Sequence, residues 1–347
     1  MKKVALILAL MLTSSMTFAQ DAAPATVFAG SADAFYKYDF STQTTQPVST
    51  SFTNASDSFQ LGMASIEASH KFGKASVFVD LGFGSRASEF TYNDDANTFM
   101  IKQLTFVYDV SDKFKITLGS FGTHIGYELL DAVDNKNYSM SYAFTNGPFF
   151  NTGIKAQYTA GKFTIMAGIT NPTDFKSAID AQSTQKTFIG QLGYVGETGS
   201  AYFNVTTGSS NPSSVKNVTQ FDFVASKKLS DKFSLGFNAT VANVNDDIDS
   251  SLDGSWFSLV GYAGYAFKEN LSLAYRLEYF DDADGLSASA VGGNVLGNTL
   301  SLNYKVGNLT IIPEFRFDNS SEDTFLDSDG FGTQSNTYVL LATTYSF

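Results

Sequence analysis

Cysteine is absent from the 347 residues. That excludes a disulfide scaffold, a thiolate metal site and a lipid-anchored N-terminal cysteine. Histidine is nearly absent, with only His70 and His124. A metal site wants several imidazoles or carboxylates clustered, so both histidines read as structural and no metal or cofactor is expected. A hydrolase would need His124 to pair with a serine, and no catalytic motif stands behind that pair, so no enzyme is expected. Bases are scarce as well: 22 Lys and Arg face 34 Asp and Glu. Such a balance argues against nucleic acid as a partner.

Long apolar runs are missing too. The run Val4 to Leu12 is uninterrupted but too short for a spanning helix, which needs about 20 residues. Preceded by Lys2 and Lys3 and followed by the small residues Thr17 and Ala19, it reads as a secretory signal, residues 1–19, cleaved before Gln20. Without Lys2 and Lys3 the remaining chain, 20–347, carries 20 bases and 34 acids, net −14. Gln20 to Thr26 is too short for a plug domain.

What the chain does have is 33 Phe, 17 Tyr and 28 Gly against a single Trp and six Pro. These aromatics alternate. In Val27 to Phe40, Phe28, Tyr36, Tyr38 and Phe40 share one parity, and Asp33, Lys37 and Asp39 the other. Successive strand residues point to opposite faces, so each such run is a strand with an apolar and a polar face. Sixteen runs of this kind can be counted, joined alternately by seven short links and eight long ones. The short links are Phe72-Gly73-Lys74, Ser111-Asp112-Lys113, Gly161-Lys162, Gly196 to Gly199, Ser230-Asp231-Lys232, Lys268-Glu269-Asn270 and Gly307-Asn308. An even count with strict short/long alternation predicts an all-β fold, a transmembrane antiparallel β-barrel of about 16 strands with short periplasmic turns and long extracellular loops. Closure satisfies every backbone polar group in lipid. A soluble β-sandwich also has many short strands, but it does not call for this alternation.

The last run, Ser335 to Phe347, has Val339, Leu341, Thr343, Tyr345 and Phe347 on one parity. A bare aromatic strand edge invites aggregation unless it pairs, and in a barrel it closes on the first strand. Tyr345 and Phe347 resemble the assembly signal of outer-membrane barrels, which implies the barrel-assembly machinery and outer-membrane lipids as partners.

The longest link, about 122–150, carries Ile125, Leu129, Val133, Tyr138, Met140 and Phe144. So apolar a loop packs against something, and a 16-strand barrel offers a lumen. An inward constriction loop is expected, with Glu128, Asp131 and Asp134 at the narrow point. Gly119 to Thr123, Gly126-Tyr127-Glu128, Asn137-Tyr138-Ser139, Pro148 to Gly153 and the opening Gly30 to Phe40 resemble the OmpL-like beta-barrel porin-2 family of bacterial outer-membrane porins. The resemblance covers the mature chain. It departs at His124, where family members often carry proline. It implies the barrel fold and a porin-like role, and no catalytic residue.

Parity also sorts the charges. Lys37, Arg86, Lys155, Arg276 and Arg316 fall on the lumenal side with Asp33, Asp39, Asp80, Asp222, Glu278 and Glu314. A base facing lipid at mid-depth costs about 2–4 kcal/mol, which turns these inward. Bases opposite an acidic loop would set up a transverse field. For Glu67 and Lys102 the parity is broken and the facing stays open. Acidic pairs at Asp94-Asp95, Asp246-Asp247 and Asp281-Asp282 read as solvated loop residues. The function these features suggest is a passive outer-membrane porin for small polar solutes and ions. The alternative is an adhesin or structural barrel with a closed lumen, binding through its acidic outer loops. The solute, the ion preference and assembly as a homotrimer stay open.

Overall fold

The computed structural model describes residues 25–93, 100–177, 185–209 and 216–347. The expected signal, 1–19, and the acidic pair Asp94-Asp95 lie outside the described residues. Eighteen strands run in chain order: β1 Thr26–Asp39, β2 Ser58–Phe72, β3 Ala75–Phe83, β4 Ile101–Ser111, β5 Phe114–Gly122, β6 Phe150–Ala160, β7 Phe163–Thr170, β8 Thr187–Val195 and β9 Gly199–Ser209. They continue as β10 Lys216–Lys228, β11 Phe233–Asp246, β12 Gly254–Lys268, β13 Leu271–Asp281, β14 Asn294–Val306, β15 Leu309–Ser320, β16 Phe325–Leu326, β17 Gly332–Thr333 and β18 Ser335–Ser346. Strands β1 to β15 and β18 form one closed antiparallel barrel of 16 strands, while β16 and β17 make a separate two-residue ladder in the last long connection.

Closure follows the expected pairing of the last run with the first. β18 lies between β15 and β1, with Ala32 opposite Tyr345 and Asp39 opposite Tyr338. Beyond it, Gly30 and Phe347 exchange backbone hydrogen bonds at 3.2 and 3.0 Å. No edge is left for intermolecular pairing, and the ladder satisfies the backbone without water.

The two faces are sharply divided. On β13, Tyr275 and Leu277 are exposed on the outside, whereas Arg276 and Glu278 are buried inside. Phe28, Phe59, Phe72 and Phe163 crowd the outer surface near strand ends, where aromatic side chains favour the membrane interface. No described helix is long and apolar enough to cross a membrane.

Two bulges matter inside. β2 inserts an extra residue opposite Ala32–Ala34. On β4, Lys102 is the extra residue between the pairs Asp80–Gln103 and Leu81–Ile101. A bulge re-aims a side chain; here consecutive Lys102 and Gln103 both reach lumenal Asp80. This settles the open parity of Lys102: it faces inward. Glu67 pairs with Asp80 across the β2–β3 ladder and shares its face.

Candidate functional site

The β5–β6 connection, 123–149, runs through the barrel interior. Two short turns shape it: a 3-10 turn at Ala132–Asp134 and a helical turn at Tyr142–Thr145, where the Ser141 hydroxyl caps the Phe144 amide at 3.0 Å. Ile125, Tyr138, Met140, Tyr142 and Phe144 are all buried. Such a loop has polar backbone groups that must find partners away from water.

Wall side chains supply them. On the acceptor side, Glu314 takes the Tyr138 and Ser139 amides at 2.7 and 3.1 Å, and Glu278 takes those of Tyr142 and Ala143 at 2.8 Å each. On the donor side, Arg276 gives to the Ser139 and Met140 carbonyls at 2.6 and 3.1 Å, and Arg316 gives to the Met140 carbonyl at 2.7 Å. Arg276 also holds the Glu128 carboxylate at 2.6 Å. Thus four charged side chains from β13 and β15 grip the loop backbone over Tyr138 to Ala143. Burying a charge is tolerated when it is paired and fully bonded.

Two further anchors hold the turn near Asp131. Lys102 lies 2.7 Å from Asp131, 3.0 Å from Asp80 and 2.8 Å from the Ser65 hydroxyl. Arg86, on a helical turn at Ser85–Phe90, donates to the Leu130 carbonyl at 3.2 Å and stacks over the Phe52 and Tyr138 rings. Glu67, Asp80 and Asp131 bring carboxylate oxygens within 4.8 Å of one another. Geometrically they could hold a metal, yet the Lys102 ammonium already supplies the cation there.

The loop's first limb crosses to the opposite wall. Asp222 on β10 accepts the Gly126 amide at 3.1 Å and is itself held by Asn204 and Asn238. His124 bonds the Val205 carbonyl at 2.9 Å. Tyr127 stacks on Tyr262 with centroids 4.2 Å apart, and its ring lies flat on Gly236, where a Cβ would come within 2.5 Å of it.

Below and above this crossing lie two cavities. The larger, about 890 Å3, opens toward the short turns and is lined by His124, Tyr127, Asp134, Lys136, Gln191 and Tyr202 among others. The smaller, about 440 Å3, lies under the long loops beside Ser49, Glu89, Thr145, Asp174, Thr206 and Gln220. They share no lining residue. Ile125, Gln220, Asp222 and Asn238 between them are at most 4% exposed.

A family profile decides what this barrel is: the one described as "Putative beta-barrel porin-2, OmpL-like" matches residues 26–347. The chain belongs to this porin family. An anion-selective porin from Comamonas acidovorans superposes with a TM-score of 0.63 at 12% identity, covering 93% of this chain and 100% of that one. The outer membrane channel DcaP of Acinetobacter baumannii gives 0.62 at 12%, covering 96% and 100%, and OmpT of Vibrio cholerae gives 0.60 at 12% with the same coverage. At such identity the likeness is one of fold. Comparison with curated proteins gives no match in sequence. With an apolar outer face and a closed wall, this family member resides in the bacterial outer membrane.

The porin's candidate residues fall into three groups. Glu128, Glu278, Glu314, Arg276 and Arg316 meet at the backbone clamp, with Asp131 and Arg86 at the flanking anchors. Asp134 is exposed to the larger cavity. Lys37 and Lys155 lie apart: Lys37 donates to the Thr53 carbonyl at 2.9 Å and sits over Tyr338, and Lys155 rests 3.8 Å above the Phe121 ring. Sequence reasoning left the facing of Lys102 open, its parity being broken by the bulge, and missed the flat seat at Gly236. A lumenal-parity glycine on a strand is the one signal that could have pointed to the seat.

Proposed function

We propose that the chain is a passive diffusion porin through which small polar solutes and ions cross the outer membrane, with the 123–149 loop as its constriction. The observation that carries this reading is the pair of lumenal cavities, about 890 and 440 Å3, the larger lined by Thr123 to Leu129 and Val133 to Asn137 of the loop and the smaller by Thr145 to Phe149.

The low exposure of the layer between the cavities favours a second reading, a barrel with a closed lumen that acts through its outer loops. Planar-bilayer recording of the refolded full chain separates the two. Stable ohmic steps are expected for the porin. A correctly folded but silent barrel refutes it and leaves the outer-loop reading.

A further inference from the structure

The expectation of a transverse field rests on free charges facing one another across the lumen. The geometry leaves few. Arg86, Lys102, Arg276 and Arg316 are at most 1% exposed, and each is spent on the loop or on a carboxylate beside it. The partner carboxylates Glu128 and Asp318 are buried with them, as are Glu278 and Glu314, which hold loop amides. A buried, paired charge projects little field into the water beside it.

Beside apolar surface, the polar groups that face the cavities are mainly hydroxyl and amide. In the larger one these are Gln191, Ser200, Tyr202, Ser234, Ser272 and Asn303, all partly exposed. The charges left there come in opposite signs: Asp134 with Lys136 on the loop, Glu269 with Lys305 at the turn-side mouth. His124 is the other titratable group on the loop's limb, and it bonds the wall. In the smaller cavity the acids are Glu89, already bonded to the Phe52 amide and Asn54, and Asp174, bonded to two backbone amides and Tyr92. There too the remaining polar lining is Ser49, Asn54, Thr145, Asn146 and Thr173, of which Asn54, Thr145 and Asn146 also bond protein groups. The Thr206 and Ser289 hydroxyls at this cavity have no protein hydrogen-bond partner.

We infer that the solutes this lumen favours are uncharged and hydroxyl-rich. The inference rests on the channel reading above. Surfaces of hydroxyl and amide exchange hydrogen bonds with a polyol at little net cost, each replacing a bond to water. A lone ion gains little from the larger cavity, where the exposed charges come in opposite pairs, and it loses part of its hydration in the narrow crossing.

The test uses the full chain in two assays. In a planar bilayer under a tenfold potassium chloride gradient, the reversal potential is expected well below the ideal of about 59 mV, with a cation-to-anion permeability ratio within about threefold of one. In liposome swelling, a neutral hexose is expected to enter faster than the size-matched sugar acid and amino sugar. A ratio beyond about tenfold in either direction, or faster entry of either charged sugar, overturns the inference while leaving the channel intact. Silence in both assays overturns the channel reading and this one with it. The variant Gln191→Glu tests the lining directly: it should shift the ratio toward cations by about two- to fivefold. An unchanged ratio removes Gln191 from the path and refutes a neutral wall that solutes touch.

Discussion

Replacing Arg276 with Met isolates what the clamp contributes. The side chain keeps much of its length but loses the guanidinium. Lost with it are the bonds to Glu128, to the Ser139 and Met140 carbonyls and to the Thr299 hydroxyl, at 2.6, 2.6, 3.1 and 3.1 Å. Glu128 would then be a buried carboxylate with only Ser141 as donor. Removing one partner of a buried pair costs about 3–5 kcal/mol. The strand ladder does not pass through this residue's side chain, so the cost should appear as loop undocking rather than as loss of the barrel. At 1.4 kcal/mol per decade, the docked-to-undocked ratio should fall by about 100- to 4,000-fold. Amide exchange at Ser139 to Ala143 should accelerate by that order, and single-channel traces should become larger or noisier. The double variant Arg276→Met with Glu128→Gln should recover part of the protection, because much of the cost is the stranded carboxylate. If exchange and conductance both match the parent, the loop is not held by this arginine and the clamp argument fails.

Other perturbations test other contacts. Gly236→Val places a side chain where the Tyr127 ring lies; overpacking costs about 1–3 kcal/mol, and the expected readout is a faster-exchanging 124–127 limb in an intact barrel. Lys102→Met leaves Asp80 and Asp131 facing each other without their cation, which should lower the thermal midpoint by the equivalent of about 3–5 kcal/mol, partly restored by adding Asp131→Asn. Asp174, in the connection after β7, has its carboxyl pushed up to about 7 by burial, against an ordinary 3.8. A carboxyl raised in the folded state stabilises fully below its ordinary value and loses that contribution as pH rises through the raised one. The net stability contributed at this site should therefore fall between about pH 4 and pH 7 as the carboxyl ionises out of water, and Asp174→Asn should flatten that trend in a pH series of thermal midpoints. Phe347→Ala removes a ring packed over Gly30 at the barrel seam, and should reduce the yield of folded, heat-modifiable barrel; an unchanged yield refutes Phe347 as an assembly determinant.

The barrel was legible because its physics is periodic. Alternation of period two, turn chemistry at Gly161-Lys162 or Gly307-Asn308, and the even strand count all report on a single constraint, closure in lipid. Arg276-Leu277-Glu278 shows the strength of that signal: parity alone places both charges inside, and both are there. Parity says which face a charge takes, however, and not what it meets. The loop's contacts join residues far apart in sequence, such as Ser139 with Arg276 and Tyr138 with Glu314, and no local pattern encodes them. Lys102 shows a second limit. A bulge shifts the period by one residue, so the broken parity at Lys102 was visible in the sequence while the direction of its side chain was not.

The clamp also explains why the inward loop and the charged wall belong together. An irregular backbone inside a barrel offers both donors and acceptors, in an order set by its own turns. A wall of one sign could satisfy only half of them. Glutamates suit the amides of Tyr138, Ser139, Tyr142 and Ala143, and arginines suit the carbonyls of Ser139 and Met140 that lie between. The alternating signs on β13 and β15 therefore match the backbone polarity of the segment they hold. Charges used this way are withdrawn from the solute. On the channel reading proposed above, a lumen whose loop is fixed by paired charges has its aperture set by how that loop packs.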